Sequence, residues 1–218
     1  MQIANTLNKL TRYLTDNFSL RQICKPLFFN GEFGLRFNLQ VGETDRDEYF
    51  EEVVRRAALL FEAAFDPTDT IFLLLRDYKW RRRKIRFSNY CFKQISDLSK
   101  TEISWSKIKN LYGNYGDIFN AAILKAEVRR INYRNIFTAI ANTDFPPRKP
   151  RFKFMGSVEI YFINTAKNLI FHMYDDRGLD IIAADVESLR PIYTKFNTWI
   201  LDANRRQIDE MILQSKKE

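Results

Sequence analysis

The sequence predicts an α+β fold: a mainly antiparallel sheet, ending in a C-terminal three-stranded meander, packed against helices. Two observations predict the sheet. Three short apolar segments, 157–163, 169–174 and 179–183, are separated by the polar turns 164–168 and 175–178, which is the spacing of a meander. Residues 71–75, Ile-Phe-Leu-Leu-Leu, form a continuous apolar run bounded by polar residues, as a central strand buried on both faces requires. The helices are predicted by apolar stripes of helical period at both ends of the chain.

Each element follows in order. Ile3, Leu7, Leu10 and Leu14 form the first helical stripe. Lys25-Pro26 and Asn30-Gly31 mark irregular chain, after which 35–39 alternates at the period of a half-buried strand. Asp45 with Glu48 predicts a capping box. The helix it opens carries Phe50, Val53, Val54, Ala57 and Phe61 on one face, and Asp66-Pro67 stops it. Residues 90–95 read equally as strand or helix. Residues 97–117, mixed in character and containing Gly113 and Gly116, read as a loop or insertion. Residues 118–128 predict a strand and 133–141 a short helix. The stretch 144–150, with three prolines, supports neither helix nor central strand. After the meander a helix begins near Asp185 or Ser188, with Pro191 in its first turn and Leu189, Ile192, Phe196, Trp199 and Ile200 as its stripe. Ile208, Met211 and Ile212 predict a last helical segment.

Composition bounds the class. With 45% hydrophobic residues and 19 Phe, the chain is too apolar to be disordered. Seven Gly and six Pro leave little room for linkers, so residues 1–218 read as one domain, with 144–151 as a candidate internal connection. No segment approaches the roughly 20 apolar residues that span a bilayer, and no secretion signal opens the sequence. A cytoplasmic protein without a membrane partner is expected. Cys24 and Cys91 form no CxxC pair, and reduced, buried thiols are expected.

Positive charge is concentrated. Of the net +8, residues 76–86 carry seven cations against Asp77, leaving only +2 for the rest. Lys79, Trp80, Arg81, Arg82, Arg83, Lys84 and Arg86 are the candidate binding patch. Clustered guanidiniums match phosphate or carboxylate oxygens, and Trp80 could stack on a base or an arginine. The plainer reading is a solvated turn after the 71–75 strand. Arg148, Lys149 and Arg151 are candidates to extend the patch.

Tyr174-Asp175-Asp176-Arg177-Gly178 is the most distinctive local motif. It reads first as a structural turn: Asp oxygens accept backbone N–H groups two residues on, and Gly178 supplies a positive φ. The other reading is a carboxylate pair holding a divalent ion. His172, the only histidine, lies between Phe171 and Met173 in a strand with two apolar faces, and a packed, hydrogen-bonded imidazole is expected. A single histidine excludes two-histidine metal sites. The GxSxG, GxGxxG and GxxxxGK[ST] patterns are absent, so neither a nucleophile elbow nor a phosphate loop is indicated and no cofactor is expected. A carboxylate-based enzyme, whose residues are assembled only by folding, stays open.

The C-terminal block resembles a bacterial family of unknown function that carries a terminal YDDRG segment. The resemblance lies in Tyr174-Asp175-Asp176-Arg177-Gly178, Asp180-Ile181-Ile182-Ala183, Leu189, Pro191, Tyr193, Asn197 and Trp199-Ile200-Leu201-Asp202, within a C-terminal segment of about 157–204. Leu35-Arg36-Phe37 and the helix over 49–65 are similar too. The resemblance implies a bacterial cytoplasmic protein and carries no catalytic residues across. A non-enzymatic protein-binding module, immunity- or regulator-like, is the leading functional expectation, because Tyr, Trp and Arg suit an interface. Nucleic-acid binding through 79–86 is the alternative.

Overall fold

A computed structural model of the protein describes residues 2–78, 84–152 and 158–214. Among them the elements run α1 (Gln2–Phe18), β1 (Phe33–Asn38), α2 (Asp47–Ala64), β2 (Thr70–Tyr78), β3 (Ser104–Lys109), β4 (Ile118–Glu127), α3 (Tyr133–Ala141), β5 (Val158–Asn164), β6 (Leu169–Met173), β7 (Gly178–Ala183), α4 (Arg190–Phe196) and α5 (Asp202–Gln214). The seven strands form one open sheet in the order β1-β7-β6-β5-β2-β4-β3, every neighbouring pair antiparallel. The fold is α+β, with β5–β6–β7 as the expected meander. β2 lies inside the sheet, and residues 71–77 of it are all buried.

Strand alternation splits the buried residues into two layers. One face presents Leu73, Phe162, Phe171 and Ile181 to the helices α2–α5. Phe61 of α2 sits at its centre, its ring 4.4–5.7 Å from those of Phe65, Tyr133, Phe137, Phe162 and Phe171. Such ring pairs add about 0.5–1.5 kcal/mol each beyond area burial. The other face presents Leu74, Ile123, Tyr161 and Ile170 to Leu10, Leu14 and Phe18 of α1 and to Ile23 and Leu27 of the following segment. That segment crosses the sheet as a strap.

Four expectations are corrected. Asp45 and Glu48 form no capping box: α2 starts at Asp47, with Arg46 as its N-cap and no side-chain cap bond. Instead Asp47 and Glu48 place negative charge in the first turn, where the helix dipole favours it. The 97–117 stretch is not all loop. It holds a short 3-10 helix, Lys100–Glu102, capped by Ser99, and then the edge strand β3. An edge strand buries little, so its sequence, Ser-Trp-Ser-Lys-Ile-Lys, lacks a strong apolar pattern. Residues 92–94 form a 3-10 turn rather than strand or α-helix. α4 starts at Arg190, later than expected, although Pro191 does fall in its first turn. The Asp185 carboxylate instead accepts the Ser188 N–H at 2.8 Å. Ile200 leaves the helical stripe to bridge Phe37 at the edge of β1.

Candidate functional site

The turn between β6 and β7 is built from the side chains of residues 174–178. Asp175 Oδ1 accepts the backbone N–H groups of Arg177 (2.8 Å) and Gly178 (3.1 Å), while its Oδ2 accepts Arg177 Nη2 at 2.7 Å. Asp176 points the other way, into the core, and accepts the Tyr49 hydroxyl at 2.5 Å. Burial raises the Asp176 carboxyl above the ordinary carboxylate range, against the lowering effect of that hydrogen bond. The Arg177 carbonyl accepts the Leu39 N–H at 2.9 Å, which ties the turn to the end of β1. The two carboxylates therefore serve separate partners. Among the described residues no three His, Cys, Asp or Glu side chains converge as a metal site requires.

Gly178 is needed for a reason other than the one its sequence context suggests. Its φ is not positive. A Cβ there would lie 1.8 Å from the Tyr174 hydroxyl and 2.3 Å from its Cζ, so the missing side chain is the space the phenol occupies. Burial, followed by the charge of Asp180, pushes the Tyr174 hydroxyl up to about 12.

Behind the corner a polar row crosses the sheet on the strap side. Register pairs Arg36 with Asp180, Asp180 with His172, and Arg76 with Glu159. All but Arg36 are at most 2% exposed. Arg36 grips Asp180 with two bonds (2.8 and 3.1 Å), and the Phe28 N–H from the strap adds a third at 3.1 Å. The Arg36 guanidinium lies 4.9–5.5 Å from the ring centres of Phe28, Phe29 and Tyr174. Glu159 accepts Tyr112 (2.6 Å) and Tyr161 (3.1 Å). His172 is packed and hydrogen-bonded. Its Nδ1 lies 2.9 Å from the Ile160 carbonyl, which can only accept, so Nδ1 carries the proton. Nε2 is buried without a partner. Its surroundings differ from the expected two apolar faces: on this side the neighbours are Asp180 and the stacked ring of Tyr161, at 4.2 Å.

A cavity of about 520 Å³ opens where this row meets the corner. The helix layer contributes Ile140, Thr143, Asp144 and Phe152 to it, the strap Lys25 and Pro26. Ile160 and Met173 lie between, and Arg36, Tyr174, Asp175 and Arg177 complete the wall. The arrangement offers apolar walls with guanidinium, ammonium and carboxylate groups at the rim. Among the described residues it holds no nucleophile hydrogen-bonded to a base.

Residues 10–204 match the family described as Domain of unknown function (DUF3885). The chain belongs to this family. It is also 25% identical over 207 residues to the "Uncharacterized protein YnaE" of Bacillus subtilis (strain 168), a match covering 88% of this chain and 96% of that one. No solved structure matches. The DUF3885 span includes both the corner and the cavity-lining residues, and it ends at the start of α5.

Lys79, Trp80, Arg81, Arg82 and Arg83 of the basic run lie outside the described residues. Lys84 and Arg86 are exposed. Arg76 and Asp77, counted in the same charge cluster, are buried strand residues. Arg148 is engaged elsewhere, with Asp47 and over the Phe50 ring. Cys91 is buried as expected, whereas Cys24 is only half-buried. Of the polar row, sequence reasoning singled out only His172. The one available signal was a single charged or polar residue at an alternate position within otherwise apolar strands, seen at Arg36, Arg76, Glu159, His172 and Asp180.

Proposed function

We propose that this DUF3885 chain is a non-enzymatic protein-binding module, immunity- or regulator-like, that occludes a partner by taking one of its side chains into the corner cavity. The observation that carries the reading is the cavity itself. Its volume of about 520 Å³ falls in the range of ligand sites, roughly 300–1,000 Å³. Apolar residues from both layers form its walls, and Arg36, Tyr174 and Arg177 at the rim are residue types that dominate interface energetics. Asp175 and Asp176 are already committed to the turn and to Tyr49, which favours binding over carboxylate chemistry. The occupant is a partner segment with a large apolar residue beside an acidic one, the acid facing Lys25 and Arg177.

Thr143, half-buried in the cavity wall, provides the test. A tagged protein recovers a stoichiometric partner from the native host, and calorimetry with the purified pair gives its affinity. Thr143→Trp fills the mouth and weakens binding tenfold or more without lowering the melting temperature. Recovery of no stoichiometric partner, or unchanged affinity in Thr143→Trp, refutes the reading.

The charge concentrated in 79–86 supports a second reading, nucleic-acid binding. It requires affinity that falls steeply with salt, because neutralised phosphates release counterions. Replacing Arg81, Arg82 and Arg83 together with Ala must then weaken binding to every sequence. An oligonucleotide that fails to bind at low salt removes this reading.

A further inference from the structure

A second cavity, of about 310 Å³, lies between α1 and the strands β2, β4 and β3. Its walls are aliphatic: Leu7, Leu10 and Leu14 from α1, Leu74 from β2, Ile123 from β4 and Ile108 from β3. Arg21, Lys107 and Lys109 also line it, all three exposed, and among the described residues no acidic one does.

Arg76 of β2 stands at the charged end. Arg76 is 2% exposed. Its Nη1 is engaged by the Ile23 carbonyl and by Glu159, which Tyr112 and Tyr161 hold on the far side. Arg76 Nε, however, is buried without an acceptor. Buried donors are nearly always satisfied in folded proteins. An unsatisfied guanidinium donor in the wall of an aliphatic slot ringed by cations calls for an anion that carries its own apolar tail.

We propose that this cavity binds a fatty acid of medium chain length. Its carboxylate accepts from Arg76 Nε, and its tail runs between Leu10, Leu14, Leu74 and Ile123. A carboxylate suits a guanidinium better than a neutral head group does, because the bond is charge-assisted. The volume sits at the lower end of ligand pockets, which run from roughly 300 to 1,000 Å³, and so admits one short chain rather than a two-chain lipid.

Calorimetry of the full chain with submicellar sodium decanoate tests the assignment, with 1-decanol as a tail-only and sodium acetate as a head-only probe. Decanoate binds one to one, decanol at least tenfold more weakly, and acetate without measurable heat. Leu7→Trp, on the half-buried wall, blocks the slot and weakens decanoate binding tenfold or more. Thermal melts establish that the variant folds, and if it does not, the contrast between decanoate and decanol decides. Thr143→Trp leaves decanoate binding unchanged, which separates this site from the corner cavity. Absence of decanoate binding, equal affinity for decanol, or wild-type affinity in a folded Leu7→Trp overturns the proposal.

Discussion

Adding a methyl group at Gly178 places an atom where the Tyr174 phenol now sits. The added Cβ would lie 1.8 Å from the hydroxyl, 2.3 Å from Cζ and 2.8 Å from Cε2. No small adjustment relieves three such contacts. The ring must swing out, giving up its place against the Arg36 guanidinium, 5.5 Å away, and exposing its half-buried face. Overpacking of this kind costs about 1–3 kcal/mol. In a chain of this length each kcal/mol lowers the melting temperature by about 2–4 °C, so Gly178→Ala should melt about 2–12 °C lower. The steric cause is isolated by a double-mutant cycle in urea. Tyr174→Ala alone is destabilising, but in its background Gly178→Ala becomes nearly neutral, giving a coupling of about 1–3 kcal/mol. Additive effects of the two substitutions would refute the close-approach account and return Gly178 to a purely backbone role.

Other consequences of the site can be measured in the same way. Asp175→Ala strips the acceptor from two backbone N–H groups of the turn and should cost about 1–2 kcal/mol in thermal or urea unfolding. Arg36→Met leaves the fully buried Asp180 without its cation and should cost about 3–5 kcal/mol, with part recovered in Arg36→Met/Asp180→Asn, where the amide oxygen still accepts from Phe28 N–H. His172 should make stability depend on pH. Burial lowers its pKa from 6.5, so the unfolded chain binds the proton more readily than the folded one. Stability from this residue is complete above pH 6.5 and is lost as pH falls from there toward the folded-state value, by at most about 1.4 kcal/mol per pH unit. His172→Gln should flatten that part of the curve. A wild-type curve with no such slope would contradict the buried neutral imidazole.

The parts of the fold that could be read in advance were those whose burial is extreme. Residues 71–75 are buried on both faces and announce themselves as an unbroken apolar run; α3 spans the residues expected from its pattern. Edge strand β3 was hidden because half of its surface faces solvent, so Lys107 and Lys109 cost nothing there and erase the alternation. The motif at 174–178 was legible as a turn, but the demand on Gly178 was not, since it depends on where a ring four residues earlier comes to rest. The corner cavity could not be read at all. Lys25, Arg36, Thr143, Tyr174 and Arg177 come from separate parts of the chain and meet only when the strap and the helix layer close on the sheet.

The sheet order also governs how this chain is made. Phe33 pairs with Ala183, so the first strand to leave the ribosome waits for the last one before it has a neighbour. At ordinary synthesis rates, about 5–20 residues per second, that wait is on the order of 10 s. Throughout it Leu35 and Phe37, fully enclosed in the finished protein, stay open to solvent and to chaperones. Nascent chains halted before residue 178 would therefore carry a first strand that no amount of time can pair in its native place.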